Sequence, residues 1–140
     1  MVTDRIPESS SSDKPGQRHD TLLIVDDERL MLRLLEKFLS QHGYHVLVAS
    51  DGVQAIEIYR RYKRRIDAVL LDMRLPKTTG EEVFRRLKKE NAAVKVVMAS
   101  GFLAANIKTE MASAGVKRFV DKPYVLDELL EVFQNVIENE

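Results

Sequence analysis

Short runs of apolar residues alternate along this chain with longer stretches in which apolar residues return every three or four positions. Residues 22–25 are continuously apolar, as in a strand buried on both faces. Met31, Leu34, Leu35, Phe38 and Leu39 follow at helical spacing, and Gly43 closes that helix. Residues 44–49 predict a second strand, and Ala55, Ile56 and Tyr59 mark a second helix. Residues 68–71 predict a third strand that runs into Asp72. Val83, Phe84 and Leu87 mark a third helix beginning near Gly80. Residues 94–99 predict a fourth strand and 104–114 a fourth, weakly patterned helix closed by Gly115. A short fifth strand covers 117–121, and Leu126, Leu129, Leu130, Phe133, Val136 and Ile137 give the clearest amphipathic helix. Strands alternating with helices predict an α/β fold, and right-handed crossovers make it a doubly wound parallel sheet. Residues 1–20 read differently: four consecutive serines and few aliphatics predict a disordered tail or linker ahead of one domain over 21–140.

Composition narrows the class. Lys+Arg and Asp+Glu both number 22, so the zero formal charge argues against a strongly basic nucleic-acid binder. The absence of cysteine rules out a disulfide framework, a thiolate metal site and a cysteine nucleophile. No apolar run reaches a membrane span or a signal core. The expectation is a cytoplasmic protein with no membrane partner and no direct contact to nucleic acid.

In doubly wound sheets functional groups gather at the carboxyl ends of the strands. Here those ends carry Asp26 and Asp27, then Asp72, then Ser100, then Asp121, Lys122 and Pro123. Singly, each has an ordinary explanation. Asp27 would cap the following helix, Ser100-Gly101 would be a turn, and Lys122 a solvated charge. Asp72 fits that view poorly, because it follows three apolar residues into the region where desolvation begins. Three acids on one rim repel unless a cation stands among them. Carboxylates suit Mg²⁺, with Mn²⁺ as the alternative, and no histidine stands at these ends to favour zinc. A divalent cation beside a carboxylate, a hydroxyl and a lysine is a phosphoryl-transfer arrangement. In it Asp72 is the nucleophile, Lys122 neutralises phosphoryl oxygens and Ser100 hydrogen-bonds one of them.

The segments LIVDDE, AVLLDMRLPKTTGEEV, VVMASGF and FVDKPY, in that order and spacing, resemble the receiver domain of bacterial two-component response regulators. The resemblance implies a flavodoxin-like (βα)5 fold with strand order 2-1-3-4-5. It implies Asp72 as phosphoacceptor and Asp26, Asp27, Asp72 and the Arg74 backbone carbonyl as Mg²⁺ ligands. Ser100 and Lys122 match the family's hydroxyl and lysine, and the Lys122–Pro123 bond matches its cis peptide. Phe119 stands at the switch-aromatic position, although a plain core aromatic explains it equally. Pro76 and Gly80 match residues that shape the loop after the phosphoacceptor, with ordinary loop punctuation as the alternative. Lys117 and Arg118 stand where winged-helix regulators carry acids for dimer salt bridges.

The implied function is a phosphorelay switch, catalysing only its own phosphorylation and dephosphorylation. It would take its phosphoryl group from a histidine kinase or histidine phosphotransfer protein docking near Arg29 and Leu30. It would signal by protein contacts through the face of the fourth helix, fifth strand and fifth helix. The chain reads as a free-standing receiver or one excised from a larger protein. Arg74 and Phe102, two residues past Asp72 and Ser100, are candidates for slowing loss of the phosphoryl group. The rival, an Mg²⁺-dependent phosphohydrolase, usually has a second acid where this chain has Arg74. A second rival, an unphosphorylated interaction module, generally lacks one or more site residues that this chain retains.

Overall fold

A computed structural model describes residues 19–139; residues 1–18 of the expected tail lie outside them. In chain order the elements are β1 (Thr21–Val25), α1 (Arg29–Gln41), β2 (His45–Ala49), α2 (Gly52–Tyr62), β3 (Ile66–Asp72), β4 (Arg74–Leu75), β5 (Thr78–Thr79), α3 (Gly80–Glu90), β6 (Val96–Ser100), α4 (Ala105–Ala114), β7 (Arg118–Asp121) and α5 (Leu126–Asn139). Five strands form one parallel sheet in the order β2-β1-β3-β6-β7. Counting those five alone, this is the flavodoxin-like order 2-1-3-4-5.

Alternation along the strands divides the core in two. Leu22 and Ile24 of β1 and Ala68 and Leu70 of β3 join Leu35 and Leu39 of α1 and Phe133 of α5. Leu23, Val25, Val69 and Leu71 join Tyr59 of α2, Phe84 and Leu87 of α3 and Met111 of α4. All five residues of β1 are buried, which explains the unbroken apolar run that follows Thr21. The β1–β3 register pairs Ile24 with Leu70 and Val25 with Leu71. One residue further, both chains reach an aspartate, so register alone brings Asp26 beside Asp72.

The short hairpin of β4 and β5 was not anticipated from the sequence. It pairs Arg74 with Thr79 and Leu75 with Thr78 around Pro76 and Lys77. Pro76 presets the first corner, and Lys77 takes φ 67°, in the left-handed region. Thr79 then caps α3, its hydroxyl accepting from the Glu82 N–H at 3.1 Å. The chain returns so close to its start that the Gly80 N–H donates to the Met73 carbonyl at 2.8 Å.

Gly80 is needed for that approach rather than for unusual dihedrals. Among the described residues the positive-φ glycines are Gly43 and Gly115. A Cβ at position 80 would stand 2.6 Å from the Asp72 carbonyl oxygen and 2.8 Å from Met73 Cα. Gly80→Ala is therefore expected to destabilise the protein by about 1–3 kcal/mol, the usual scale of overpacking. Urea denaturation checks this, and an unchanged midpoint would mean that the loop yields freely.

Candidate functional site

The carboxyl ends of β1, β3 and β7 converge on a rim built around Lys122. Its ammonium donates to Asp72 Oδ2 at 3.0 Å and to Asp26 Oδ2 at 3.2 Å, and Glu28 Oε1 lies 3.8 Å away. Asp26 is fully buried and Asp72 nearly so. Asp27 is exposed, and one carboxylate oxygen from each of Asp26, Asp27 and Asp72 lies within 4.8 Å of the other two. Three hard oxygen donors this close fit Mg²⁺ or Mn²⁺ in charge and chemistry.

Backbone groups hold the carboxylates. The Glu28 N–H donates to Asp26 Oδ1 at 2.9 Å, and the Arg74 N–H donates to Asp72 Oδ1 at 3.1 Å. Asp27 is not the helix cap that its position first suggests. Glu28 occupies the N-cap of α1, without a side-chain cap bond. That leaves the Asp27 carboxylate turned to the acidic cluster rather than to helix amides.

Burial pushes the Asp72 carboxyl above the usual carboxylate range, and hydrogen bonds from Arg74 and Lys122 pull it back in part. Burial by itself would lower Lys122, but its bond to Asp72 and the charges of Asp26 and Asp72 outweigh it. Its pKa is raised, so it remains an ammonium. The Lys122–Pro123 peptide is cis.

Ser100 ends β6, and its carbonyl accepts from the Lys122 N–H at 2.9 Å. Its hydroxyl is engaged elsewhere. It donates to the Phe102 carbonyl at 2.6 Å and accepts from the Phe102 N–H at 3.1 Å. The Phe102 side chain is 84% exposed and, with Arg74, Leu75 and Pro76, borders the open cleft above Asp72. Phe119 is half-buried and packs on the core that contains Met98 and Met111. Two residues at the rim were missed in the sequence. Glu28 simply follows the aspartate pair, and Tyr124 lies two residues past Lys122, its ring 5.7 Å from the ammonium.

Residues 22–134 match the family model of the response regulator receiver domain. Response regulator MprA of Mycobacterium leprae is 34% identical over 109 residues, which make up 78% of this chain and 47% of that protein. The chain thus spans about half the length of the first curated relatives it matches. Chemotaxis protein CheY of Bacillus subtilis is 28% identical over 117 residues, 83% of this chain and 96% of that protein. A receiver domain crystal structure from Clostridium thermocellum superposes with a TM-score of 0.80 at 26% identity, covering 84% of this chain and 94% of that one.

The raised Asp72 pKa has a stability consequence of definite sign. Between its unfolded and folded pKa values the folded state binds the proton more tightly. Stability therefore falls as pH rises through that window. Asp72→Asn removes the buried charge. With metal chelated, its urea midpoint at pH 7 is expected to exceed that of the parent protein. The difference should close on acidification toward the ordinary carboxylate range, and a lower midpoint at pH 7 would contradict the account.

Proposed function

The chain belongs to the response regulator receiver domain family, and on that premise we propose that Asp72 accepts a phosphoryl group from a phosphohistidine. Receiver domains of this family are phosphorylation-dependent switches of two-component systems. For this chain the supporting observation is the Lys122 ammonium lodged between Asp26 and Asp72, with a third carboxylate alongside.

In the proposed reaction an Asp72 carboxylate oxygen attacks phosphorus. The P–N bond to the donor histidine breaks, its electron pair stays with the imidazole, and an acyl phosphate forms on Asp72. Asp26, Asp27, Asp72 and the Arg74 carbonyl are the groups that would hold Mg²⁺, with Mn²⁺ as substitute. When bound, that ion supplies positive charge to the phosphoryl oxygens. Lys122 needs little movement to join it, since its ammonium already touches Asp72.

The Ser100 hydroxyl exchanges the Phe102 carbonyl for a phosphoryl oxygen. Phe119 repacks inward as Ser100 moves, and the face of α4, β7 and α5 changes shape. The output is an altered set of protein contacts rather than turnover of a separate substrate. Donor proteins dock beside α1, where Leu30 is 80% and Leu34 49% exposed next to Arg29 and Arg33. The same reading takes residues 21–140 as the receiver, 1–20 as tail or linker, and the setting as cytoplasmic. Among the described residues no helix is long and apolar enough to cross a membrane.

Intact mass after incubation with acetyl phosphate tests the reading. A gain of about 80 Da, one phosphoryl group, is expected only with Mg²⁺ present and Asp72 intact. Asp72→Asn should gain nothing. If a phosphohistidine donor also left the mass unchanged, the switch reading would be wrong. Arg74 and Phe102 border the open cleft beside Asp72, through which a hydrolytic water would have to come, so replacing them should speed loss of the phosphoryl group. The double variant Arg74→Asn, Phe102→Glu is expected to shorten its half-life roughly tenfold, a change of ~1.4 kcal/mol in the barrier. An unchanged half-life would remove both residues from this role.

A further inference from the structure

The formal charge of zero conceals an uneven distribution. Residues 52–65 and 80–90, which hold α2 and α3, contain nine Lys and Arg against four Glu. Residues 124–139, which hold α5, contain four acids and no base. The two groups lie on opposite sides of the sheet, because Tyr59 and Phe84 pack in one core and Leu129 and Phe133 in the other. Part of this is ordinary helix electrostatics. Arg60, Arg61, Lys88 and Lys89 stand in last turns, and Asp127 and Glu128 in a first turn, where such charges offset the helix dipole. The dipole does not explain Arg64 and Arg65, which follow α2 in the turn before β3, or Arg86 in the middle of α3, or Glu131 in the second turn of α5.

The bases of α2 and α3 form one face. Glu90 joins the two helices, 2.9 Å from Arg60 Nε and 3.6 Å from Lys63 Nζ, and Glu81 holds Arg85 at 3.1 Å. The side chains of Arg64, Arg65, Arg86 and Lys89 are exposed and have no hydrogen bond or ion pair among the described residues. The same is true of Asp127, Glu128 and Glu131. These three share one outward arc of α5, since Asp127 and Glu131 are a turn apart and the inward side carries Leu129, Phe133 and Val136.

None of the exposed large apolar side chains lies within residues 60–65, 85–90 or 126–139. The basic face therefore has nothing to insert into a bilayer or to stack on unpaired bases. What it offers is uncompensated arginine, whose fork matches a carboxylate, and α5 presents uncompensated carboxylates. At zero net charge, two copies approach each other without long-range repulsion. We propose that the basic α2–α3 face of one copy docks the acidic α5 of a second copy. The two faces lie on opposite sides of the sheet, so each copy can use both at once. The contact is heterologous, head to tail, and adds copies beyond two rather than closing as a two-fold dimer. Without an apolar anchor it is weak and screened by salt.

The test is sedimentation velocity of the full chain, without Mg²⁺ or phosphoryl donor, from micromolar to millimolar concentration. Salt is set at about 10 mM and about 1 M, where the screening length is roughly 30 Å and roughly 3 Å. In low salt the mean mass of the parent should climb with concentration past that of a dimer, and in high salt it should stay that of a monomer. One variant, Arg64→Glu, Arg65→Glu, Arg86→Glu, Lys89→Glu, reverses the basic face. Another, Asp127→Lys, Glu128→Lys, Glu131→Lys, reverses α5. Each alone should associate at least about tenfold more weakly than the parent. Mixed in equal amounts they should recover a complex, because the reversed basic face of one then meets the reversed α5 of the other. Should either fail to fold, Arg64→Gln with Arg65→Gln, which leaves both helices untouched, should still weaken association of the parent. A parent that stays monomeric in low salt, a rise in mass that salt does not reduce, or folded variants that associate like the parent or do not recover on mixing would each overturn the proposal. So would binding of the parent to duplex DNA or phosphatidylserine vesicles without self-association, which would give the basic face a polyanion in place of a second copy. None of these readouts depends on phosphorylation, so their failure leaves the phosphoacceptor reading standing.

Discussion

The Lys122 ammonium stands between two buried carboxylates, and the carboxyl end of the sheet is arranged around that fact. Strand register sets Asp26 and Asp72 side by side on β1 and β3, and β7 delivers the lysine from the far side of β6. Without the cation, two carboxylates would repel each other in a region that water scarcely reaches. With it, burial still raises the Asp72 pKa, so the pair is compensated but not relaxed. A rim under this tension is sensitive to any added charge, positive or negative. Both a divalent cation and a phosphoryl group would be such charges.

The central strands β1, β3 and β6 were legible in the sequence because they are buried on both faces. A parallel strand such as β1 is apolar beyond its first residue, Thr21, and that leaves an unbroken run before the aspartates. Element ends were less distinct. The expected strand over 94–99 is observed at Val96–Ser100, and the expected run over 68–71 begins earlier, at Ile66. Asp67 explains the latter: it interrupts the apolar run, yet its carboxylate accepts from the Thr21 N–H at 2.8 Å and remains within the strand. The hairpin of β4 and β5 was illegible for a different reason. Two-residue strands have no periodicity, and their turn uses Lys77 where glycine or asparagine would have signalled left-handed backbone.

The site divides in the same way. Asp26, Asp27, Asp72, Ser100 and Lys122 stand at strand ends, so finding the strands located them. Which groups bond to which was not legible, because that depends on side-chain direction. The Ser100 hydroxyl faces the Phe102 backbone rather than the carboxylates. Asp27 leaves the capping of α1 undone. Tyr124 gave no signal because an aromatic after a strand–proline turn reads as packing, which its ring does indeed supply.

The helices are attached to this sheet with unequal strength. Helix α2 starts on the Asp51 carboxylate, and α3 starts on Thr79 with Glu81 and Glu82 in its first turn. Helix α4 starts on Ala104 with no side-chain cap, and Met111 alone among its residues is fully buried. Few buried apolar side chains and an uncapped start are the features that lower the cost of local opening. The loop that leads into α4 is the one that the Ser100 hydroxyl fastens at Phe102. The least buried of the capped and uncapped helices described above thus begins next to the acidic rim. A change in what the Ser100 hydroxyl binds would therefore be felt first where the least is buried.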